Sequence, residues 1–555
     1  MADLVIEFLE RLEQAKGDPH AQSAVAAEFA LAARPEVERE PLRAALDAAA
    51  LLHWFDARLL HKVLGIPEED AVKRFKALKD LPFVEQYRRG EHDLRNVHES
   101  TRLGWRKQLA HADGPRFRLL SKQASDCFAA DLAPAAQIER IYHLLCADPE
   151  AGASGLETLN RQWSSSAYPE DRYALAAVLK ELEDSQLLAG RARAWALLVI
   201  AWARDTRGET AQLQEVATAA LLLARQTKDQ SAEGDAQALL GDVLQVQGKL
   251  EEAQVAFGEY LAISRRLAAQ DPGNACWQRE LAVAHSKVGG VFEAQGKLAQ
   301  ALAAFREFLA ILGRVAAQDP SNAGWQRELA VAHSKVGGVL QAQGKLTEAQ
   351  AELEARMQIN SRLVELDKSN AAWQHGLAVA HNLLGDALQA QGKLAEAQAA
   401  FEESLVIIQR LAAQDPNNAG WQRDLAVGHN RVGDVLEANG KLGEAQAAFG
   451  ECLTISRRLV AQEPGNVGWQ RELAVACIQL ARFESKAGRH AAALPHYKEA
   501  SCIFGELAVK APRFALWAKE KEQAEAELAK CRVLVRASKS PGSSASEGPS
   551  ASQKP

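Results

Sequence analysis

Apolar residues in the C-terminal half of the chain fall at steps of three and four. Trp277, Leu281, Ala284, Val288 and Val291 line one face of a predicted helix. Beyond Gly296, a second face is formed by Leu298, Ala301, Phe305, Leu309 and Leu312. Glycine lets a helix end in a left-handed turn. The residue before proline is pushed out of the helical region. The pattern therefore predicts a helical hairpin that turns at Gly296 and stops near Asp319-Pro320.

This hairpin recurs. Trp277, Trp325, Trp373, Trp421, Trp469 and Trp517 are spaced by 48 residues, and the text WQRELAVAHSKVGGV at 277 returns unchanged at 325. Variants of it follow at 373, 421 and 469. Turn glycines keep the same period at Gly248, Gly296, Gly344, Gly392, Gly440 and Gly488. Asn274, Asn322, Asn370, Asn418 and Asn466 lie just ahead of a Trp, where they can cap the next helix. Self-similarity at a fixed period predicts stacked repeats.

Here a family resemblance is specific. Gly289, Gly296, Ala301 and Phe305 resemble the tetratricopeptide pattern, and so do Gly241, Gly248, Ala253, Phe257; Gly385, Gly392, Ala397, Phe401; and Gly433, Gly440, Ala445, Phe449. Two copies depart: Leu353 replaces the aromatic, and Ala481 replaces the first glycine before Gly488, Ala493 and Tyr497. The usual unit has about 34 residues, so this one resembles a tetratricopeptide repeat with both helices lengthened. The expected fold is mainly α, an α-solenoid of tetratricopeptide-like hairpins preceded by a small winged-helix domain.

The expected boundaries are an N-terminal helical segment over 1–40, a winged-helix-like domain over 41–125 and irregular helical hairpins over 126–229. Six repeats follow over 230–516, then a charged capping helix over 517–536 and a disordered tail over 537–555, which has no large apolar residue. The first copy holds Asp229 where the others hold Trp. In the winged-helix segment, three short helices precede PFVEQYRRGEHDLRNVHE, read as two strands joined at Arg89-Gly90. Residues 41–150 resemble the winged helix and linker that follow the ATPase core in bacterial signalling ATPases of the STAND class. Val97-His98-Glu99 stands where that family carries Met-His-Asp, whose His reads the nucleotide. Only about 40 residues precede this segment, and they hold no glycine-rich phosphate loop. The expectation is the sensing portion of such a protein without its motor.

Composition narrows the function. The charge is −7, from 65 basic and 72 acidic residues, so no global basic excess points to nucleic acid. Seven Cys without a CxxC pair exclude a simple disulfide framework or a zinc ribbon. The start lacks the basic region of a signal peptide, and no apolar run reaches the roughly 18–20 residues that cross a bilayer. A cytoplasmic setting is expected, with no membrane contact.

Catalytic patterns are missing. GGVFEAQGKL at 289–298 is not a phosphate loop, because Leu298 stands where Ser/Thr belongs and the segment joins two helices. There is no GxSxG or HExxH, and HDLRN at 92–96 only echoes a kinase loop. His285, His333, His381 and His429 form a ladder continued by Cys477. Stacked layers would hold them about 10 Å apart, against metal–nitrogen bonds of about 2 Å, so they read as structural. The expectation is no enzyme, no cofactor and no metal site.

The resemblance implies that the first helices line a concave groove for a protein or peptide partner. Residues that vary among otherwise similar copies are the natural readers. They are Ser286, Lys287, Gly290 and Glu293; Ser334, Lys335, Gly338 and Gln341; Asn382, Leu383, Asp386 and Gln389; and Asn430, Arg431, Asp434 and Glu437. An alternative is a DNA-binding regulator that reads through Lys73, Arg74, Lys76 and Lys79 on the third helix of the winged-helix segment. A further one is a trans-acting partner of a separate STAND-type ATPase.

Overall fold

The computed structural model describes residues 2–87, 93–164, 169–206, 212–510 and 515–539. The chain forms two compact units, Met1–Lys297 and Leu298–Pro555.

In the N-terminal unit, helices Glu36–Ala49, Ala57–Leu64 and Glu68–Lys79 precede two short strands. Asp56 starts the second helix by accepting from the Leu59 amide at 2.7 Å, and Gly65 ends it in the left-handed region at φ +61°. Strands Val84–Gln86 and Arg95–Val97 pair antiparallel with Val84 opposite Val97, and Phe55 bridges to Arg95. The turn expected at Arg89-Gly90 lies outside the described residues. Leu46, Leu52, Phe55, Leu60, Leu78 and Val97 are fully buried between these elements. Helix Glu99–Ala112 follows, and helical hairpins then lead to Gln230–Val246, Leu250–Gln270 and Ala275–Ala294.

The C-terminal unit opens with helix Leu298–Gln318. Four hairpins follow: Ala323–Ala342 with Leu346–Leu366, Ala371–Ala390 with Leu394–Gln414, Ala419–Ala438 with Leu442–Gln462, and Val467–Lys486 with His490–Lys510. Each first helix begins the same way. Asn322, Asn370, Asn418 and Asn466 accept from the amide of the Trp three residues on, at 3.1–3.2 Å. Each ends on a left-handed glycine, as at Gly344 and Gly392 with φ near +75°. At Gly344 the following Lys345 amide reaches back to the Leu340 carbonyl at 2.9 Å, which closes the helix end.

Where the second helix carries an aromatic at this position, the ring is buried against the first helix. Phe401 and Phe449 are 0% and 2% exposed. A Cβ placed on Gly385 would stand 2.5 Å from the Phe401 ring. That position is glycine because the ring occupies the space a side chain would need. Helix Ala515–Lys539 packs on the last hairpin through Leu528, Cys531 and Val535. The side chain of Trp517, and the tail beyond Lys539, lie outside the described residues.

Candidate partner-binding face

The variable positions sit on the first helices, between the invariant apolar rows. The structure divides them into latches and open positions. Lys287 Nζ meets Asp242 Oδ1 at 2.6 Å, and Arg431 pairs with Asp386. These two pairs occupy the same repeat position three copies apart, and each ties a first helix to the first helix before it. Burial pushes both acids above the usual carboxylate range, with the facing cation holding them partly back. Lys287, Lys335 and Arg431 also lie over Phe257, Phe305 and Phe401 at 5.8–5.9 Å.

Other positions are partly engaged. Ser334 donates to the Ala330 carbonyl at 2.9 Å and accepts from Arg356. Asn430 donates to Asp434 at 3.4 Å. Glu437 holds Lys486 at 2.8 Å. Glu293 and Lys335 are exposed, whereas Ser286, Gln341, Asn382 and Gln389 are half-buried. The Oδ1 atoms of Asn382 and Asn430, at one repeat position, are buried with no protein donor. Near the end of the unit, a cleft of about 470 Å³ is lined by Asp434, Glu437, Gln479, Arg482, Lys486 and Glu527.

Asp434 is pushed up to about 6, first by burial and then by the neighbouring Glu437 carboxylate. A carboxyl raised in the folded state adds stability below its unfolded value, and this is lost as pH rises through about 6. Asp434→Asn is therefore expected to raise the unfolding free energy at pH 7.5 by on the order of 1 kcal/mol, discounted for partial exposure, and to change little at pH 4. Thermal unfolding at the two pH values checks this.

Two clusters escaped sequence reasoning. The first is buried in the N-terminal unit. Glu181 accepts from Arg102 at 2.9 and 2.5 Å, from Arg106 at 2.6 Å and from Tyr142 Oη at 2.5 Å. His53 joins it through Glu139 at 2.8 Å. Its only sequence signals are the i,i+4 pairs Arg102/Arg106 and Glu139/His143. The second brings together Cys477, His496 and Glu499 in the last hairpin, with their ligand atoms within 4.8 Å of one another. The His ladder is otherwise packed: His285 is buried, and His333 meets Glu352 at 2.7 Å. On the basic helix of the N-terminal unit, Lys73 pairs with Asp70 and Lys79 with Asp93. No helix among the described residues is long and apolar enough to cross a membrane.

Residues 377–416 match the tetratricopeptide repeat family model. Comparison with curated protein sequences gives no match. Among solved structures, the chain is similar to a signal transduction ATPase with numerous domains, carrying a tetratricopeptide repeat sensor, from Pyrococcus horikoshii. That match has a TM-score of 0.50 at 12% identity and covers 94% of this chain and 72% of that one. The apo form of RapI matches at TM-score 0.44 and 12% identity over 74% of this chain and 97% of that one. A structure of nearly identical TPR-like repeats from Podosopora anserina matches at TM-score 0.31 and 21% identity over 40% of this chain and 97% of that one. The family match covers one hairpin, and its turn glycine and glycine–aromatic contact recur at 48 residues, so the 48-residue hairpins of this chain are tetratricopeptide-like repeats.

Proposed function

We propose that the chain is a non-enzymatic interaction module that binds a peptide or protein partner along the first helices of its repeats. One observation carries this reading: variable polar residues stand on a near-invariant hairpin chassis. The chassis residues (Asn caps, turn glycines, buried Phe) do the folding, so Gln341, Asn382 and Gln389 are left for recognition, beside Asp434 and Glu437, which also engage Asn430 and Lys486. Many modest contacts over a repeat array sum to affinity, with a few residues dominating.

The N-terminal helices and hairpin are read as a winged-helix packing module serving the array or a second partner. Similarity in fold over 94% of the chain to a STAND protein supports a sensor role, including one in trans with a separate ATPase. DNA reading by the same module is disfavoured by Asp70 and Asp93, which neutralise Lys73 and Lys79.

Photo-crosslinking amino acids placed in the full chain at Gln341, Gln389 and Glu437 should trap one common partner in cells. Exposed second-helix positions Arg410 and Glu451 should not. Equal trapping from both sets, or none from the first, would contradict the proposal.

A further inference from the structure

We propose that the last repeat hairpin holds a zinc-type divalent cation through Cys477, His496 and Glu499. The inference rests on hairpin geometry and is independent of the partner-binding reading. The three ligand atoms already lie within 4.8 Å of one another. Ligands around one tetrahedral zinc stand about 3.3–3.8 Å apart, given bonds of about 2.0–2.3 Å. Closure onto an ion therefore needs movements of about an ångström, which side-chain rotation supplies.

The environment of each group fits the role. Cys477 is fully buried, so its sulfur is shielded from bulk solvent. His496 Nδ1 is buried without a hydrogen-bond partner, and so has a lone pair or a proton to give up. Arg457 holds Glu499 at 2.6 Å and fixes the carboxylate's orientation, as outer-shell partners do for metal ligands. A thiolate, an imidazole and a carboxylate form a mixed S/N/O set, which suits zinc and its neighbours better than calcium or magnesium. On binding, the thiol proton leaves to solvent and a sulfur–metal bond forms. Three protein ligands leave a fourth position for water or a partner's side chain.

Comparison of the copies shows that this set is peculiar to one hairpin. The Cys477 position is His in the copies before it, at His285, His333, His381 and His429. The Glu499 position is also acidic at Glu259, Glu307, Glu403 and Glu451. The His496 position, however, is Ala at Ala256, Ala304, Ala400 and Ala448, and Glu at Glu352. Most copies thus offer two ligand types across the hairpin, and only the last unites a thiol, an imidazole and a carboxylate. A nucleophilic Cys–His pair is the wrong reading of this cluster. Burial, with the Glu499 carboxylate beside it, pushes the Cys477 thiol up to about 12, opposite to what a reactive thiol needs.

The test uses the full chain with the exposed Cys276 and Cys502 replaced by Ser, so that surface thiols contribute nothing. Cobalt(II) is titrated without oxygen and followed by absorbance, then displaced by zinc. One equivalent should bind, with a thiolate-to-cobalt charge-transfer band in the near ultraviolet. The key variants borrow residues that sister copies already tolerate. His496→Ala should weaken binding by at least about tenfold. Cys477→His should keep the circular dichroism spectrum and lose the charge-transfer band. Absence of stoichiometric binding, or a band that survives Cys477→His, overturns the assignment.

Discussion

Glu181→Gln is expected to destabilise the N-terminal unit by about 3–5 kcal/mol, the typical cost of removing one partner from a buried ion network. Glu181 is the hub of that network, and Arg106 beside it has a side chain that is 0% exposed. Without the carboxylate, a guanidinium remains in low dielectric with no counter-charge, and the Arg102 Nη2 donor that meets Oε2 faces an amide NH2 in place of an acceptor.

The pH dependence follows from the same contacts. Burial alone would raise the Glu181 carboxyl, but His53, with Nε2 3.7 Å away, and the Arg106 and Arg102 guanidiniums outweigh it and hold it far below its ordinary value. Glu139 is likewise held low against burial, by His53 and His143. Their stabilisation is present above the unfolded carboxylate value of about 4.3 and is lost as pH falls through the folded values. His53 has the opposite sign. Burial opposes its charged form, yet Glu139 and Glu181 win, so it is raised. Its contribution is complete below about pH 6.5 and fades as pH rises through the folded value. Glu181→Gln should therefore shrink the acid limb of the stability curve. Hydrogen exchange localises the effect: amides of Glu99–Ala112 should lose protection, and those of Ala371–Ala390 should keep it. A loss below about 1 kcal/mol would show that the network contributes little.

Phe401→Ala is the second large effect, at about 3–5 kcal/mol. The ring is fully buried and fills the space over Gly385, so truncation leaves a cavity between the helices of one hairpin. Phe401→Leu should cost only about 1 kcal/mol, in the range of volume-similar exchanges. The chain itself supports that contrast, since Leu353 holds the same position one copy earlier and leaves 3.0 Å over Gly337. Repeat arrays lose stability at the damaged unit and its neighbours, so the denaturant transition should broaden as well as shift. Equal losses for Ala and Leu would mean that the ring's shape, and not its volume, is what the hairpin requires.

Much of the array was readable because each hairpin solves its local problems with its own residues. The Asn cap acts three residues away, the turn glycine on the helix that precedes it, and the buried Phe on a helix one turn off in sequence. Repetition then multiplied each weak signal. Contacts outside that period left no such trace. Arg102 and Glu181 are 79 positions apart and occur once. The latches Asp242–Lys287 and Asp386–Arg431 run 45 positions, off the 48-residue ruler, and fall in only some copies. Sequence variation alone marks Lys287, Asp386 and Arg431 as readers, whereas in the structure they are partly occupied in joining hairpins. The Cys477 cluster stayed hidden because its ligands lie on two helices at spacings that match no common metal motif.

The central claim is that specificity sits in the few variable first-helix residues, while the chassis supplies only fold. Exchanging such residues for those of sister copies tests it most directly. Lys335→Leu and Glu437→Gln import Leu383 and the glutamine of Gln341 and Gln389. Unfolding of the double variant should stay within about 1 kcal/mol of the parent, since only the partly exposed Glu437–Lys486 pair is lost, while partner capture from the Gln389 crosslinker falls by about tenfold, or about 1.4 kcal/mol of binding. Unchanged capture in a folded variant would contradict the account.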